Sequence, residues 1–277
     1  MKRIVIDTNC LEHPDLETYL SEASDNFGLI TQISLIEVHK KAAIETARKA
    51  MRVLCRYPSQ IVFLKDMTDL IYMNGTTSPL LTMVDTEQTP TFDAYCETMI
   101  NCPVDEGIIA RFDLHQAESR QFVDDMVPRG ANIYNMFRMA EEQFTAEDVE
   151  QLRKRESYSG DLQWKIMEFA FAVRELMIMT SEVDPAEFPR TRKEIIDTYL
   201  FRYALVIALY FTRWITSRTP DKTNINKIIN HLLDMKIAAI ATFFEGLMTR
   251  DAQMKDLHAE TVKAVTALGG CVNCGQD

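Results

Sequence analysis

The sequence is poor in the residues that build several common kinds of functional site. Its 277 residues include only 9 glycines and no GxxxxGK loop, which argues against nucleoside triphosphate chemistry. The 5 histidines show no paired spacing typical of zinc ligands. No Ser/His/Asp arrangement for nucleophilic catalysis stands out either. Carboxylates are therefore the main candidates for chemistry.

Cysteine is also sparse for a chain of this length. The six cysteines are Cys10, Cys55, Cys96, Cys102, Cys271 and Cys274. Nothing in the sequence indicates an oxidising compartment, so we expect reduced thiols. Cys271 and Cys274 form the only close pair, and a zinc site would need further ligands. We interpret this pair as thiols of the C-terminal tail and leave zinc binding or redox use as the alternative.

Long hydrophobic runs are missing as well. The most apolar stretch, YLFRYALVIALYFTRWI, is interrupted by Arg202 and Arg213. It is shorter than the roughly 18 consecutive apolar residues that a membrane-spanning helix needs. Near the N-terminus, Asp7 breaks the apolar run, which is unlike a signal peptide. We expect a cytoplasmic protein without a membrane partner.

Negative charge is concentrated in one segment. The chain has 41 acidic and 30 basic residues; between Asp85 and Glu150 there are 15 acidic and 4 basic residues, which leaves 26 of each elsewhere. Because the remainder is neutral, it can still present a local basic surface to a nucleic acid. The acidic segment indicates a solvated helical face, and the alternative is a surface for a basic partner.

Hydrophobic periodicity divides the chain into an α/β part and a helical part. Residues 1–67 alternate as strand, helix, strand, helix, strand, which predicts a parallel sheet. Residues 68–222 carry helical periodicity between Pro, Gly and Ser/Thr breaks. A helix, a strand and a closing helix follow in residues 223–277. We predict a core formed by residues 1–67 and 223–277, with residues 68–222 as an all-helical insertion.

Three finer expectations concern where elements begin and end. The second strand is predicted over FGLITQIS, and the helix that follows is predicted as one element over LIEVHKKAAIETARKAMRVL. In the insertion, two separate helices are predicted on either side of the sequence PRG at Pro128.

Four acidic residues stand where a parallel sheet would bring them together. Asp7 follows the first strand, and Asp251 follows the last one. Glu37 lies near the start of the helix after the second strand, and Asp234 is expected at the start of the helix before the last strand. Because the carboxyl ends of parallel strands form the ligand-binding edge, we expect these four carboxylates to converge.

Clustered carboxylates repel one another, so a fold tolerates them best when a hard cation neutralises them. Carboxylate oxygens suit Mg²⁺ or Mn²⁺, and the chemistry implied is phosphodiester hydrolysis. Asn230 lies one helical turn before Asp234 and is a candidate contact to substrate or to a metal-bound water. Lys236 and Arg250 are candidate contacts to substrate phosphates.

The residues IVIDTN, ISLIEV and LLDMKIAAIATFFEGLMTRD resemble the sequence blocks of PIN-domain nucleases, in the order that this family uses. The resemblance covers roughly the first 65 and the last 50 residues. It implies a three-layer α/β/α sandwich around a parallel sheet and metal-dependent cleavage of single-stranded nucleic acid, usually RNA. Asp7, Glu37, Asp234 and Asp251 match the family's acidic quartet. Asn9 and Thr249 match its polar positions beside the first and last acids.

The resemblance has one large departure and leaves alternatives open. Small PIN proteins join the second and third acids through a few short helices, whereas here residues 68–222 intervene, which puts the substrate in doubt. A DNA nuclease, or a toxin or defence effector whose helical insertion receives a protein inhibitor or sensor, is one alternative. A catalytically inactive PIN-like scaffold that binds a protein partner is another.

Each acid also has a structural alternative. Asp7 or Asp251 could cap the following helix. Glu37 could pair with Lys40 or Lys41. Asp234 could be a first-turn acid favoured by the helix dipole.

Overall fold

The computed structural model of this chain is a mixed α/β fold built on one parallel sheet. It describes residues 1–40, 43–71, 73, 78–101, 103–154, 158–181, 183–217 and 225–272. The strands are β1 (Lys2–Ile6), β2 (Asn26–Ile30), β3 (Ile61–Phe63) and β4 (Gly246–Met248). Their order in the sheet is β3-β2-β1-β4, and every neighbouring pair is parallel. The predicted α/β class with a central parallel sheet is confirmed.

Helices make up most of the rest of the described chain. They are α1 (Pro14–Glu22), α2 (Gln32–Lys40), α3 (Ile44–Met51), α4 (Met67–Leu70), α5 (Pro79–Met83), α6 (Gln88–Tyr95), α7 (Glu106–Glu141), α8 (Ala146–Lys154), α9 (Gly160–Met179), α10 (Arg192–Ile196), α11 (Tyr199–Thr216), α12 (Ile225–Ala241) and α13 (Ala252–Ala267). Short 3₁₀ helices and one π-helical turn occupy Thr8–Cys10, Leu54–Arg56, Pro58–Gln60, Cys96–Asn101 and Pro185–Glu187.

Several long helices begin at residues whose side chains cap the first turn. Asp105 accepts a hydrogen bond from Ile108 N at the start of α7, and Ser159 accepts one from Leu162 N at the start of α9. Thr198 does the same for α11 through Phe201 N. Such caps satisfy backbone N–H groups that have no partner inside the helix. The capping residues therefore set where these helices start.

The sheet separates two hydrophobic clusters. Alternate side chains of a strand point to opposite faces. Accordingly Val5 and Leu29 pack into a large cluster with α9, α11 and α12, whereas Ile6 and Ile30 pack into a second cluster with α1 and α3. Both faces of the sheet are thus buried, which explains why its strands are mostly apolar.

Two expected boundaries near β2 are wrong. The strand ends at Ile30, because Thr31 Oγ1 accepts a hydrogen bond from Ser34 N at 3.2 Å and starts α2. The long helix expected after it is two helices, α2 and α3. Ala43, directly before α3, has an extended backbone, with φ −61° and ψ 150°. The helical spacing of apolar residues in the sequence continues across this interruption, so the sequence did not indicate it.

The expected break at Pro128 is also wrong, because α7 runs through it as a single helix of 36 residues. Proline inside a helix removes one backbone hydrogen bond and costs about 3 kcal/mol. Met126 and Ile133, on either side of the proline, are buried in the same large cluster. Packing of both halves against one core offsets the local cost.

The expectation that the thiols are reduced is corrected by two findings. Cys55 and Cys96 form a disulfide across a sequence separation of 41 residues. Cys271 is disulfide-bonded as well, so it is not a free tail thiol. Cys10 is free and buried, whereas Cys102 and Cys274 lie outside the described residues. The Cys55–Cys96 pairing is created by the approach of α6 to the segment before β3, which no sequence spacing reveals.

No helix in the described part of the chain combines the length and apolarity needed to cross a membrane. Between β3 and α12, the described residues form helices and loops, and the β pairing recorded among them is an isolated antiparallel bridge between Leu64 and Val84. The division into a core and an insertion at residues 67/68 and 222/223 stays a prediction.

A fully buried arginine fastens several parts of the large cluster to one another. Arg202 of α11 donates to Thr242 O at 2.9 Å, to Asp197 Oδ1 at 2.9 Å, and to the carbonyl of Cys271. Its guanidinium also lies 3.7 Å from the centroid of the Phe243 ring. Buried guanidinium groups need such complete pairing because desolvation of a charge is costly. Arg202 thereby connects α11 to the end of α12 and to the C-terminal segment.

We expect Arg202→Ala to lower the free energy of unfolding by about 3–5 kcal/mol, because it removes the cation that pairs with Asp197 and the donor to the carbonyls of Ile196, Thr242 and Cys271. Arg153→Ala is the control, since Arg153 is exposed and its nearest approach to Glu150 is 3.8 Å; it should change stability by less than about 0.5 kcal/mol. Urea unfolding measures both. Equal losses in the two variants would show that Arg202 has no special role.

Candidate active site

Asp7 is the most buried acid at the carboxyl edge of the sheet. It follows β1 directly, its side chain is buried, and its backbone N–H donates to Met248 O of β4 at 3.0 Å. Asp7 makes no side-chain capping bond to the 3₁₀ helix that follows, so the alternative role as a cap does not describe it. Burial raises the pKa of Asp7, and the charges of Glu37 and Asp251 raise it further.

The hydroxyl group of Thr249 connects Asp7 to the residues after β4. Thr249 Oγ1 donates to Asp7 Oδ2 at 2.6 Å. The same oxygen accepts hydrogen bonds from Asn9 Nδ2 and from Asp251 N, both at 3.1 Å. The donation to Asp7 lowers the pKa of that carboxyl group, against the effect of burial. Thr249 is therefore the centre of the hydrogen-bond network at this edge.

Asn9 completes the connection between the two segments. Its Oδ1 atom accepts a hydrogen bond from Arg250 N at 2.9 Å, while its Nδ2 atom donates to Thr249. The chain after β1 and the chain after β4 are consequently held side by side. Arg250 itself is exposed next to this network. The structure thus brings Asp7, Asn9 and Thr249 together. The catalytic role of Asp7, and the roles of Asn9 and Thr249 as substrate contacts or as supports of the metal ligands, stay predictions.

Glu37 approaches from α2, which is fastened to the end of β1. Ser34 Oγ donates to Ile6 O at 3.2 Å, and Glu37 lies one turn further along the helix. Glu37 is half-buried and accepts a hydrogen bond from Lys40 Nζ at 3.4 Å. The alternative pairing of Glu37 with Lys40 is therefore present. Glu37 also interacts electrostatically with Asp7. Lys41 lies outside the described residues.

Asp234 lies in the second half of α12 rather than at its start, so the predicted position and the alternative of a first-turn acid are both wrong. The helix begins at Ile225, so Asp234 is its tenth residue. Burial raises the pKa of Asp234 to about 7, and the charges of Asp7, Glu37 and Asp251 add to the effect. Asp234 thus shares the electrostatic environment of the other three acids.

Asp251 is exposed and caps the last helix. Its Oδ1 atom accepts a hydrogen bond from Met254 N at 2.8 Å, which satisfies the first turn of α13. The alternative role as a cap is thus present. One carboxylate oxygen remains outside this bond, and the charge of Asp251 raises the pKa values of Asp7 and Asp234. Asp251 therefore combines a structural bond with proximity to the acidic group.

Two other predicted contact residues have different outcomes. Asn230 is exposed on α12, four residues before Asp234, and its contact with substrate or with a metal-bound water stays a prediction. Lys236 was expected as a possible phosphate contact, but it is buried, with 6% of the residue exposed. Helical geometry directs Lys236 about 200° away from Asp234 around α12, so it does not face the acids.

The four acids fit a hard cation in the kind of ligand they provide. All four offer carboxylate oxygens, and the mutual repulsion that raises the pKa values of Asp7 and Asp234 is what a divalent cation would relieve. In the described part of the chain, no three or more His, Cys, Asp or Glu side chains are already arranged to hold a metal ion.

Sequence reasoning missed three residues that border the acids. Ser34 positions α2, and the pattern TQIS before the helix could have indicated it as part of a helix start. Lys40 was considered only as a surface partner, although it is nine-tenths buried beside Glu37. His231, whose Nδ1 atom lies 3.9 Å from Asp234 Oδ2, had no sequence signal beyond its spacing of three residues.

Comparisons with known proteins do not assign the chain to a family. No family model, no curated protein and no solved structure matches it. The site must therefore be interpreted from its own geometry.

We expect Thr249→Val to lower the free energy of unfolding by about 1–3 kcal/mol, because it leaves a buried carboxylate and two N–H donors without their partner. Thr261→Val is the matched control: that hydroxyl is also buried but donates only to Leu257 O, a helix carbonyl. The control should cost less than about 1 kcal/mol. A control as damaging as Thr249→Val, measured by urea unfolding, would contradict the central position of Thr249.

The raised pKa of Asp234 predicts how stability depends on pH without divalent cations. Between its ordinary pKa of 3.8 and about 7, folded Asp234 keeps a proton that the unfolded chain has released. The contribution of Asp234 to the free energy of unfolding should therefore fall as pH rises through this window. Asp234→Asn should remove part of that fall, and so gain stability relative to the parent at pH 8 but not at pH 4.

Unfolding midpoints from pH 4 to pH 8 measure this difference. Asp256→Asn, an exposed change on α13, is the control and should follow the parent throughout. His39 and His258, whose pKa values are lowered by burial, titrate in all three proteins and cancel in the comparison. His231 Nδ1 lies 3.9 Å from Asp234 Oδ2, so its titration contributes to the difference between Asp234→Asn and the parent. Parallel profiles for the parent and Asp234→Asn would show that this carboxyl group titrates normally.

Proposed function

We propose that this protein is a metal-dependent nuclease that hydrolyses phosphodiester bonds, with single-stranded RNA as its favoured substrate. One observation carries the proposal. Four carboxylates interact electrostatically near the carboxyl edge of one parallel sheet: Asp7 directly after β1, Glu37 in α2, Asp234 in α12 and Asp251 directly before α13. These elements come from opposite ends of the chain. A stable fold gains nothing from gathering like charges there, which favours a functional reason for the arrangement.

At the level of the fold, we propose a PIN-like three-layer α/β/α core. Residues 1–67 and 223–277 would form the core, and residues 68–222 would form a helical insertion. The burial of both sheet faces in separate clusters supports three layers. The lack of strands in the described residues between β3 and α12 supports the insertion. Packing of these helices against α12 in the same cluster indicates that an insertion would be closely joined to the core.

Asp7, Glu37, Asp234 and Asp251 would hold one or two Mg²⁺ or Mn²⁺ ions. Such ions, when bound, polarise phosphoryl oxygens and lower the pKa of water, which is the chemistry that phosphodiester hydrolysis needs. Asn9 and Thr249 would not need to touch the substrate. Their hydrogen bonds fix the orientation of Asp7 and of the segment that carries Asp251, as supporting residues around metal ligands commonly do.

A nucleic-acid backbone would bind beside the four acids only when cations are present. Four carboxylates repel a phosphate, so substrate binding and metal binding would be coupled. Lys40 beside Glu37 and exposed Arg250 beside Asn9 are two positive groups at this edge. Asn230, exposed on α12, would be a further substrate contact. These residues would bind the phosphates that flank the bond to be cut.

A second candidate function is binding of a protein partner. The chain would be either a DNA nuclease or effector whose helical insertion receives an inhibitor or sensor protein, or an inactive scaffold that binds a partner protein. The surface of α7 favours it. Ile109, Leu114 and Met139 are exposed large apolar side chains there, and they are interspersed with exposed acids such as Asp113 and Glu118. A contiguous apolar patch rimmed by polar residues marks a protein-interaction site.

Cleavage of labelled single-stranded RNA and DNA, with and without Mn²⁺, tests the nuclease proposal. We expect Mn²⁺-dependent cleavage of RNA by the parent and a loss of roughly 100-fold or more in Asp7→Asn, because removing a metal ligand removes most of the assistance to hydrolysis. Asp256→Asn, exposed on α13, is the control and should remain active.

The other outcomes separate the alternatives. Cleavage of DNA alone would favour the DNA nuclease. No cleavage of either substrate by folded parent protein would favour the scaffold. Activity that survives in Asp7→Asn, or that needs no divalent cation, would contradict the proposed site.

A further inference from the structure

A cavity of about 430 Å³ lies between α2, α6 and α7. None of the four acids of the candidate active site lines it. His39 on its wall follows Glu37 by two residues, which directs the two side chains about 200° apart around α2. The cavity is therefore separate from the acidic group.

The wall formed by α6 is fixed in position by contacts with the rest of the fold. A disulfide between Cys55 and Cys96 attaches the end of α6 to the segment before β3. Thr89 Oγ1 in α6 accepts a hydrogen bond from Phe63 N at 3.0 Å. The Phe92 ring packs edge-on against the Phe63 ring, with 4.9 Å between centroids. The cavity is thus preformed, as most small-molecule sites are.

Aromatic side chains form much of the lining. Phe63, Phe92 and Tyr95 all contribute to it, and the rings of Phe92 and Tyr95 stack with 6.0 Å between centroids. An apolar cavity of about 150 Å³ is large enough to bind benzene. This larger cavity, within the range of volumes for small-molecule sites, has room for two fused aromatic rings.

One buried polar atom of the lining has no partner among the described residues. His39 is buried, with 6% of the residue exposed. Its Nδ1 atom lies 2.8 Å from Leu35 O, and because a carbonyl oxygen only accepts, Nδ1 carries a proton and donates it. The Nε2 atom makes no hydrogen bond. A buried polar atom without a partner is unfavourable, and a bound ligand would supply the missing partner.

The geometry of the His39 ring makes Nε2 an acceptor that faces away from its own helix. Nδ1 faces the backbone of α2, so Nε2 lies on the opposite side of the ring, toward α7. There the ring lies 5.7 Å from that of Phe112 and 5.3 Å from that of His115, between centroids. A second proton on Nε2 would have no acceptor, which favours the neutral ring with an unprotonated Nε2. The cavity therefore offers a buried acceptor to an N–H or O–H group.

The charged and titratable groups of the lining favour a neutral ligand. Glu118 is exposed, and its Oε2 atom already lies 3.3 Å from His115 Nδ1. Burial raises the pKa of Tyr95 to about 12, so its hydroxyl group is neutral at pH 7. A charged ligand would lose its hydration among the aromatic rings without gaining a buried counter-ion in the described lining.

We propose that this cavity binds a neutral aromatic heterocycle of two fused rings that carries an N–H group. Its rings would lie among Phe63, Phe92 and Tyr95, and its N–H group would donate to His39 Nε2. Exposed Thr91 marks the side from which the ligand enters. The site does not depend on the proposed nuclease activity.

Titration calorimetry of the full chain with indole and with benzofuran tests the proposal. The two probes have the same shape, but benzofuran has an oxygen atom in place of the N–H group. We expect saturable binding of indole with a dissociation constant below about 1 mM. His39→Phe keeps a ring and removes the acceptor, so it should weaken indole binding by several-fold or more and leave benzofuran binding as strong or stronger.

Two matched controls accompany the variants. His258→Phe should leave the binding of both probes unchanged, because His258 Nε2 is likewise buried without a partner but His258 does not line the cavity. Thr91→Trp should narrow the opening and weaken both probes by several-fold. Asp93→Trp, an exposed change on the same helix outside the lining, should weaken neither.

Nitrogen-15 spectra of the parent protein decide the outcome if His39→Phe does not fold. Indole should shift the resonance of His39 Nε2 more than benzofuran does, because only indole donates a hydrogen bond to that atom. Equal shifts, or equal losses of affinity for the two probes in His39→Phe, would overturn the assigned hydrogen bond. No saturable binding of indole by folded parent protein would overturn the site. Tighter binding of the cationic tryptamine than of indole would overturn the preference for a neutral ligand.

Discussion

The parallel pairing of β1 with β4 is the constraint on which the candidate site depends. It joins the first strand of the chain to the last, with Ile4 opposite Gly246 and Ile6 opposite Met248. A nearly buried ion pair between Arg3 and Glu245, with 2.6 Å between Nη2 and Oε1, fastens the start of this pairing. Beyond its end, the Thr249 hydroxyl reaches Asp7. Acids from opposite ends of the chain meet because these two strands are neighbours.

The same pairing creates an electrostatic cost that the protein compensates only in part. Burial and like charges raise the pKa of Asp234 to about 7 and that of Asp7 above its usual value. Hydrogen bonds from Thr249 to Asp7 and from Lys40 to Glu37 offset some of this repulsion. A divalent cation would offset more of it, because it favours the charged form of every carboxylate around it. Stability and pH are therefore linked at this edge of the sheet, and the proposed metal binding would be linked to both.

The sequence predicted the parallel sheet well because its signals are local. Short apolar runs bounded by polar turns identify β1, β3 and β4, and an acid directly after β1 or close after β4 must lie at the carboxyl edge of a parallel sheet. Features set by tertiary contacts were missed. Packing of both halves of α7 against the core allows the helix to continue through Pro128. The fold brings Cys55 close to Cys96. The helices packed around α12 determine that Lys236 is buried.

Location of Mn²⁺ by anomalous scattering in crystals of this protein tests the central claim most directly. We expect a peak bonded to Asp7 and to at least one of Glu37, Asp234 and Asp251, and we expect it to disappear in Asp7→Asn. A peak elsewhere on the molecule, or no peak at this edge at saturating Mn²⁺, would contradict the claim that these acids share a metal ion.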